Sequence, residues 1–129
     1  MLRSPNRVVA FLAGAGFVTL GVAGFFAADG LLFGVFGVDV ASSIVHLVFG
    51  VSLVVAGIAG VRAARFANGA VGAVCLVIGY TGLFVVGGEY NVLGLNGAGN
   101  VLHFGVAALL LAVGLGAEGL GAERAAKRA

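Results

Sequence analysis

Charge is what this sequence has least of. Asp, Glu, Lys and Arg make up 9% of its 129 residues, against 61% hydrophobic residues. A soluble domain carries about 25% charged residues to cover its surface. A chain this poor in charge must expose apolar surface, and lipid is the solvent that tolerates it. Its length suits one domain. Cysteine is nearly absent too. The single Cys75 excludes an intrachain disulfide and carries no information on redox compartment. The net charge is +2 with no dense basic cluster, which excludes nucleic acid as a partner. A catalytic set is also missing: Thr19, Ser42, Ser43 and Ser52 have no base-and-acid arrangement near them. No catalytic residue is expected, and the balance leans away from an enzyme.

What the chain does have is glycine, 24 residues of it, set inside long apolar runs. In water so much glycine would weaken helices. In lipid an unpaired backbone group costs several kcal/mol, so helices persist, and small residues let them approach closely. Glycine within membrane helices is not a phosphate-cradling loop. Four runs stand out: Val8–Ala28, Ile44–Val61, Ala70–Gly87 and Val101–Ala117. Each is long enough for a hydrocarbon core about 30 Å thick at about 1.5 Å per residue. The shorter runs extend by a turn if Ala41–Ser43 and Gly97–Asn100 join them. The expected architecture is an all-α, up-down bundle of four transmembrane helices. Residues 118–129 form a frayed amphipathic tail that touches anionic lipid.

The charges set an orientation. Arg3 and Arg7 precede the first span, Arg62 and Arg65 fill the turn between the second and third, and Arg124, Lys127 and Arg128 end the chain. The opposite connections hold Asp29, Asp39 and Glu89 and no base. The positive-inside rule then puts both termini in the cytoplasm and the protein in the cytoplasmic membrane. Arg3, Arg7 and Ala27-Ala28 have the flavour of a signal peptide, but the first apolar run is too long for a typical signal core. The first helix is expected to be retained.

An internal repeat organises the chain. Val35 to His46 aligns with Val92 to His103 at a constant offset of 57, pairing Asp39 with Asn96, Ser43 with Asn100 and His46 with His103. Leu20–Phe26 aligns with Ile78–Phe84 at an offset of 58. The chain therefore reads as two copies of one hairpin, about residues 8–61 and 66–117, in the same orientation and related by a pseudo-two-fold axis along the membrane normal. The outer connections, Gly30–Val40 and Gly88–Gly97, are too short to span and are expected as bent or partly helical interfacial segments. Asp39, Ser42 or Ser43 would cap the second helix, and Asn96 or Asn100 the fourth.

Two histidines, His46 and His103, then open the second and fourth helices at similar depth. Ionisable side chains inside a membrane are functional candidates by default. Two facing imidazoles could ligate haem iron or a divalent metal, bind a quinone-like headgroup or relay protons. Gly50, Gly57, Gly105 and Gly114 could open a slot for haem, or close it by tight packing. The plainer expectation is that each histidine bonds a neighbouring carbonyl and fixes packing, with no cofactor. Small residues recur at Ser52, Ala56, Gly60 and Ala64, and at Ala108, Ala112 and Gly116. They read as contacts inside the bundle, or alternatively as a homodimer seam. Cys75 reads as a small buried apolar residue, Tyr80 as a packing residue and Tyr90 as an interface anchor.

The sequence Gly94-Leu95-Asn96-Gly97-Ala98-Gly99-Asn100-Val101-Leu102-His103, with its weaker copy before His46, resembles the bacterial four-helix membrane family named as domain of unknown function 4383. The resemblance covers roughly Arg7–Ala117. It departs at Ser43, where the second copy has Asn100. It implies a small multi-pass protein and brings no activity or ligand with it. The expected role is non-enzymatic, structural or accessory, with the lipid bilayer as partner and a homo-oligomer or membrane complex open. The alternative is a haem- or metal-binding redox module built on His46 and His103.

Overall fold

Polar caps decide where the helices begin. In a computed structural model describing residues 4–27 and 29–128, with 118–127 described by backbone alone, the helices are α1 (Pro5–Gly24), α2 (Val40–Ala59), α3 (Val61–Val85) and α4 (Gly97–Arg128). Ser4 accepts from the Arg7 amide and Pro5 stands at the first helical position, where its missing N–H is not needed. Asp39 and Ser42 form a reciprocal capping box on α2. Asn96 Oδ1 accepts from the Gly99 amide, 2.9 Å away, at the start of α4. These caps start α2 and α4 one turn before the apolar runs at Ile44 and Val101. α1 stops at Gly24, short of Ala28, which itself lies outside the described residues.

The turn expected around Arg62 and Arg65 is a single residue. Gly60, at φ 136°, separates α2 from α3, and both arginines lie in the opening turns of α3. Arginine ends a hydropathy window without ending a helix, because it is a good helix former whose head can reach the interface. At the other end α4 continues past Ala117 as unbroken helix to Arg128.

Each helix is long and apolar enough to cross a membrane, over 20, 20, 25 and 21 residues. Only 28–33% of each span is buried inside the bundle, so the outward remainder, with Leu12, Val48, Val55, Val77 and Leu115 exposed, presents apolar surface. That is the surface lipid solvates.

Inward residues recur at alternating steps of three and four. On α2 they are Ser43, His46, Gly50, Leu53 and Gly57, and on α4 Asn100, His103, Ala107, Leu110 and Gly114. Such steps give long seams between near-parallel helices. α1 packs mainly on α2, and α3 mainly on α4. Small residues set the approach. A Cβ on Gly14 would lie 2.8 Å from the Val54 side chain, and one on Gly72 would lie 3.0 Å from Leu110 Cβ. Higher up, Gly21 meets Leu47 and Gly79 meets Phe104; higher still, Gly24 meets Ser43 and Gly82 meets Asn100. Between the pairs, α1 and α3 touch at the centre, around Ala10, Phe17, Ala64, Val71 and Cys75. α2 and α4 flank them, and among the described residues no Cα of one comes within 8 Å of the other.

The connections Gly30–Val40 and Gly88–Gly97 depart from expectation. The first is a small antiparallel hairpin, β1 (Leu31–Leu32) with β2 (Phe36–Gly37), turning at Phe33 and Gly34, both at positive φ. Three residues suffice to reverse the chain, and the freed edges pair with each other rather than coiling. The second is a run of turns clasped by Asn91, whose side chain bonds both the amide and the carbonyl of Leu95. The two connections meet where Gly94, at φ 60°, lies against Gly37 and Val38; a side chain on Gly37 would strike the Gly94 carbonyl. The small-residue rows match the bundle-contact reading only in part: Ala64 is buried in the core, but Ser52, Ala108 and Ala112 are exposed, because the inner face of α2 and α4 is the histidine-bearing one.

Candidate functional site

The two histidines meet where the hairpins join. Their rings are 6.0 Å apart between centroids and nearly parallel, at 21°. Both are buried, at 6% and 7% exposed. Since α2 and α4 make no close backbone approach, the imidazoles span the gap. His103 Nδ1 lies 2.8 Å from the Gly99 carbonyl. A carbonyl can only accept, so Nδ1 carries the proton and Nε2 of the neutral ring keeps its lone pair. His46 packs on Phe17 at 5.7 Å, and its Nδ1 is buried with no hydrogen-bond partner among the described residues.

Around the rings, Ser43 Oγ donates to the Asp39 carbonyl at 2.8 Å and lies against Gly24. Asn100 presses its amide onto Gly82, and its Oδ1 finds no hydrogen-bond partner among the described residues. The neighbouring Cα–H of Gly82 is the kind of weak donor that such contacts use. Asn96 Nδ2 reaches across to the Val35 carbonyl at 2.8 Å, tying the α1–α2 and α3–α4 connections together. The glycines expected either to open a slot or to close it do the latter. A Cβ on Gly50 would lie 2.6 Å from the Val18 nitrogen, on Gly57 3.3 Å from the Phe11 ring, and on Gly114 2.7 Å from the Gly69 nitrogen. Gly105 is the exception, meeting nothing within 4 Å on an exposed face.

A family model described as Domain of unknown function (DUF4383) matches residues 7–116. The chain belongs to this family. No curated protein and no solved structure matches it.

In this DUF4383 chain the buried polar groups extend beyond those singled out from sequence. Asn6 and Asn68, both fully buried, join α1 to α3: Asn68 Nδ2 donates to Asn6 Oδ1 at 2.8 Å and to the Asn6 carbonyl at 3.0 Å. Two arginines expected only to set topology also clamp helices. Arg7 Nε donates to the Gly57 carbonyl at 2.8 Å, and Arg65 Nε to the Gly114 carbonyl at 3.0 Å. The sequence did hold a signal for the asparagines, since Asn6 precedes Ala10 and Gly14 at steps of four, and Asn68 precedes Gly72 and Cys75 at steps of four and three, each on the buried face of its helix. The flanking arginines obscured it by ending the apolar windows.

Of the other basic residues, Arg3 lies outside the described residues, as do the side chains of Arg124 and Lys127, while Arg62 and Arg128 are exposed. Asp29 and Glu89 are exposed and Asp39 is half-buried in its cap. Cys75 is fully buried in the core. Tyr80 is over half exposed, with its ring edge-on to Phe104 at 5.5 Å, and Tyr90 is exposed in the second connection. No third His, Cys, Asp or Glu joins the imidazole pair among the described residues.

Proposed function

We propose that this chain is a non-enzymatic multi-pass protein of the bacterial cytoplasmic membrane, with both termini inside and a structural or accessory role. The reading takes it as a duplicated hairpin with a pseudo-two-fold axis passing between Gly37 and Gly94 and between His46 and His103. Support comes from contacts recurring at offsets of 57 and 58: Gly24 on Ser43 with Gly82 on Asn100, and Arg7 on Gly57 with Arg65 on Gly114. The observation that carries the structural role is how the seam is filled. His103 bonds Gly99, His46 stacks between His103 and Phe17, and the nearby glycines are closed by packing. Polar groups so placed hold helices together.

One observation favours the second reading, a haem-binding redox module. His46 Nδ1 is buried and unpartnered among the described residues, and such a group needs an explanation. An absorption spectrum with metal analysis on the detergent-purified chain separates the two. The structural role expects no Soret band and no stoichiometric metal. A band at roughly 410–430 nm, the region of ligated haem, lost in the His46→Ala/His103→Ala double variant, overturns it in favour of the module.

A further inference from the structure

Among the described residues, Arg62 is a cation that the bundle does not use. Its repeat counterpart, at the offset of 58, is Ser4. The other arginine of this end, Arg65, clamps α3 to α4 through Gly114. Arg62 is exposed and makes no hydrogen bond or ion pair among the described residues. It lines a groove of about 430 Å³ between α3 and α4. The floor is the close crossing of Gly69 and Gly114, where a Cβ on Gly114 would lie 2.7 Å from the Gly69 nitrogen. The walls are Phe66, 78% exposed, and Leu115, 69% exposed. Arg62 and Phe66 also line a second hollow beside Gly60.

We propose that this groove binds an anionic glycerophospholipid, with its phosphate on Arg62 and Arg65 and its acyl chains on either side of Phe66. Charge complementarity selects the occupant. Two guanidiniums one helical turn apart offer forked donors that match phosphate oxygens. They line the same groove as Phe66 and Leu115, so a ligand that fills it is anionic at one end and hydrocarbon at the other. Basic pockets between transmembrane helices on the cytoplasmic side recognise anionic headgroups in this way. The opening turn of α3 adds amides that no side chain caps, and these favour negative charge too. The site belongs to the cytoplasmic leaflet under the orientation proposed above. Binding in detergent does not depend on that orientation, so the two ideas fail separately.

The test is native mass spectrometry of the full chain in neutral detergent, titrated with phosphatidylglycerol or with phosphatidylcholine of the same acyl chains. Phosphatidylglycerol is expected to bind roughly 10- to 30-fold better, the scale of two interfacial arginines. Arg62→Gln is expected to remove about fivefold of that preference and Arg62→Lys less. Phe66→Ala is expected to weaken both lipids alike. Inorganic phosphate is expected to compete poorly, because it lacks the chains. Equal binding of the two lipids, an Arg62→Gln variant that binds like the parent, or competition by phosphate at lipid-like concentrations would each overturn the proposal. Arg65→Gln also loses a helix clamp, so Arg62 is the deciding position.

Discussion

His46 and His103 face each other across a gap that their own helices do not close. The rings stack at 6.0 Å, while no described Cα of α2 lies within 8 Å of α4. Side chains, not backbones, therefore join α2 to α4 at this level. Within each hairpin the reverse holds, since glycine brings backbone onto side chain or backbone directly.

That contrast predicts a crosslinking pattern. A Cβ on Gly24 would lie 3.3 Å from Ser43 Cβ, close to the roughly 3.5–4.5 Å of a disulfide. The Gly24→Cys/Ser43→Cys variant, with Cys75→Ala to remove the native thiol, is expected to oxidise readily in membranes. The His46→Cys/His103→Cys variant is expected to stay reduced, because disulfides need Cα atoms within about 7 Å. Gel mobility after proteolysis between the helices reads both outcomes. Efficient bonding at the histidine positions would show that α2 and α4 approach more closely than described.

Glycine position should matter more than glycine number. At Gly50 an added Cβ lies 2.6 Å from the Val18 nitrogen and 2.8 Å from the Gly14 carbonyl, so the backbone itself must move. Gly50→Ala is expected to lower stability by about 1–3 kcal/mol, as overpacking does. At Gly16 nothing lies within 4 Å, so Gly16→Ala is expected to change stability by less than about 1 kcal/mol, the scale of helix propensity. Unfolding in mixed micelles by added SDS measures both. A tolerated Gly50→Ala would mean the α1–α2 crossing is looser than described.

The membrane spans were legible because burial in lipid needs only length and hydropathy, and the family was legible in the stretch ending at His103. The seam was harder to read. Its marker is a three-and-four alternation of small and polar residues, such as Ser43, His46, Gly50, Leu53 and Gly57, within helices that are apolar all round. Hydropathy cannot single out such a face when lipid and core are equally apolar. Arg62 and Arg65 misplaced the start of α3 because a charge ends an apolar run without ending a helix. The β-hairpin at Leu31–Gly37 was missed because a turn at Phe33 uses a positive φ that phenylalanine does not advertise.

The Asn6–Asn68 pair should be energetically coupled. Each asparagine is fully buried, and Asn68 Nδ2 contacts Asn6 twice. Hydrogen bonds between membrane helices contribute about 0.6–2 kcal/mol. A double-mutant cycle with Asn6→Ala, Asn68→Ala and the double variant, read by the same SDS unfolding, is expected to give a coupling in that range. Strict additivity would show that the two side chains act independently.

Orientation can be measured without purification. Basic residues are retained on the cytoplasmic side during insertion, and in this sequence all seven fall before the first apolar run, between the second and third, or after the fourth. A fluorescent reporter that matures only in the cytoplasm is expected to light up when fused to either terminus. A phosphatase active only outside is expected to stay silent at both. Inserted at Gly34 or Glu89, in the two outer connections, the same phosphatase is expected to be active, since those segments hold no lysine or arginine. The two termini must agree, because four crossings return the chain to its starting side. Termini found on opposite sides would mean that one of the four helices does not span, and a shared exterior location would invert the leaflet assigned to Arg62 without disturbing the packing of the bundle.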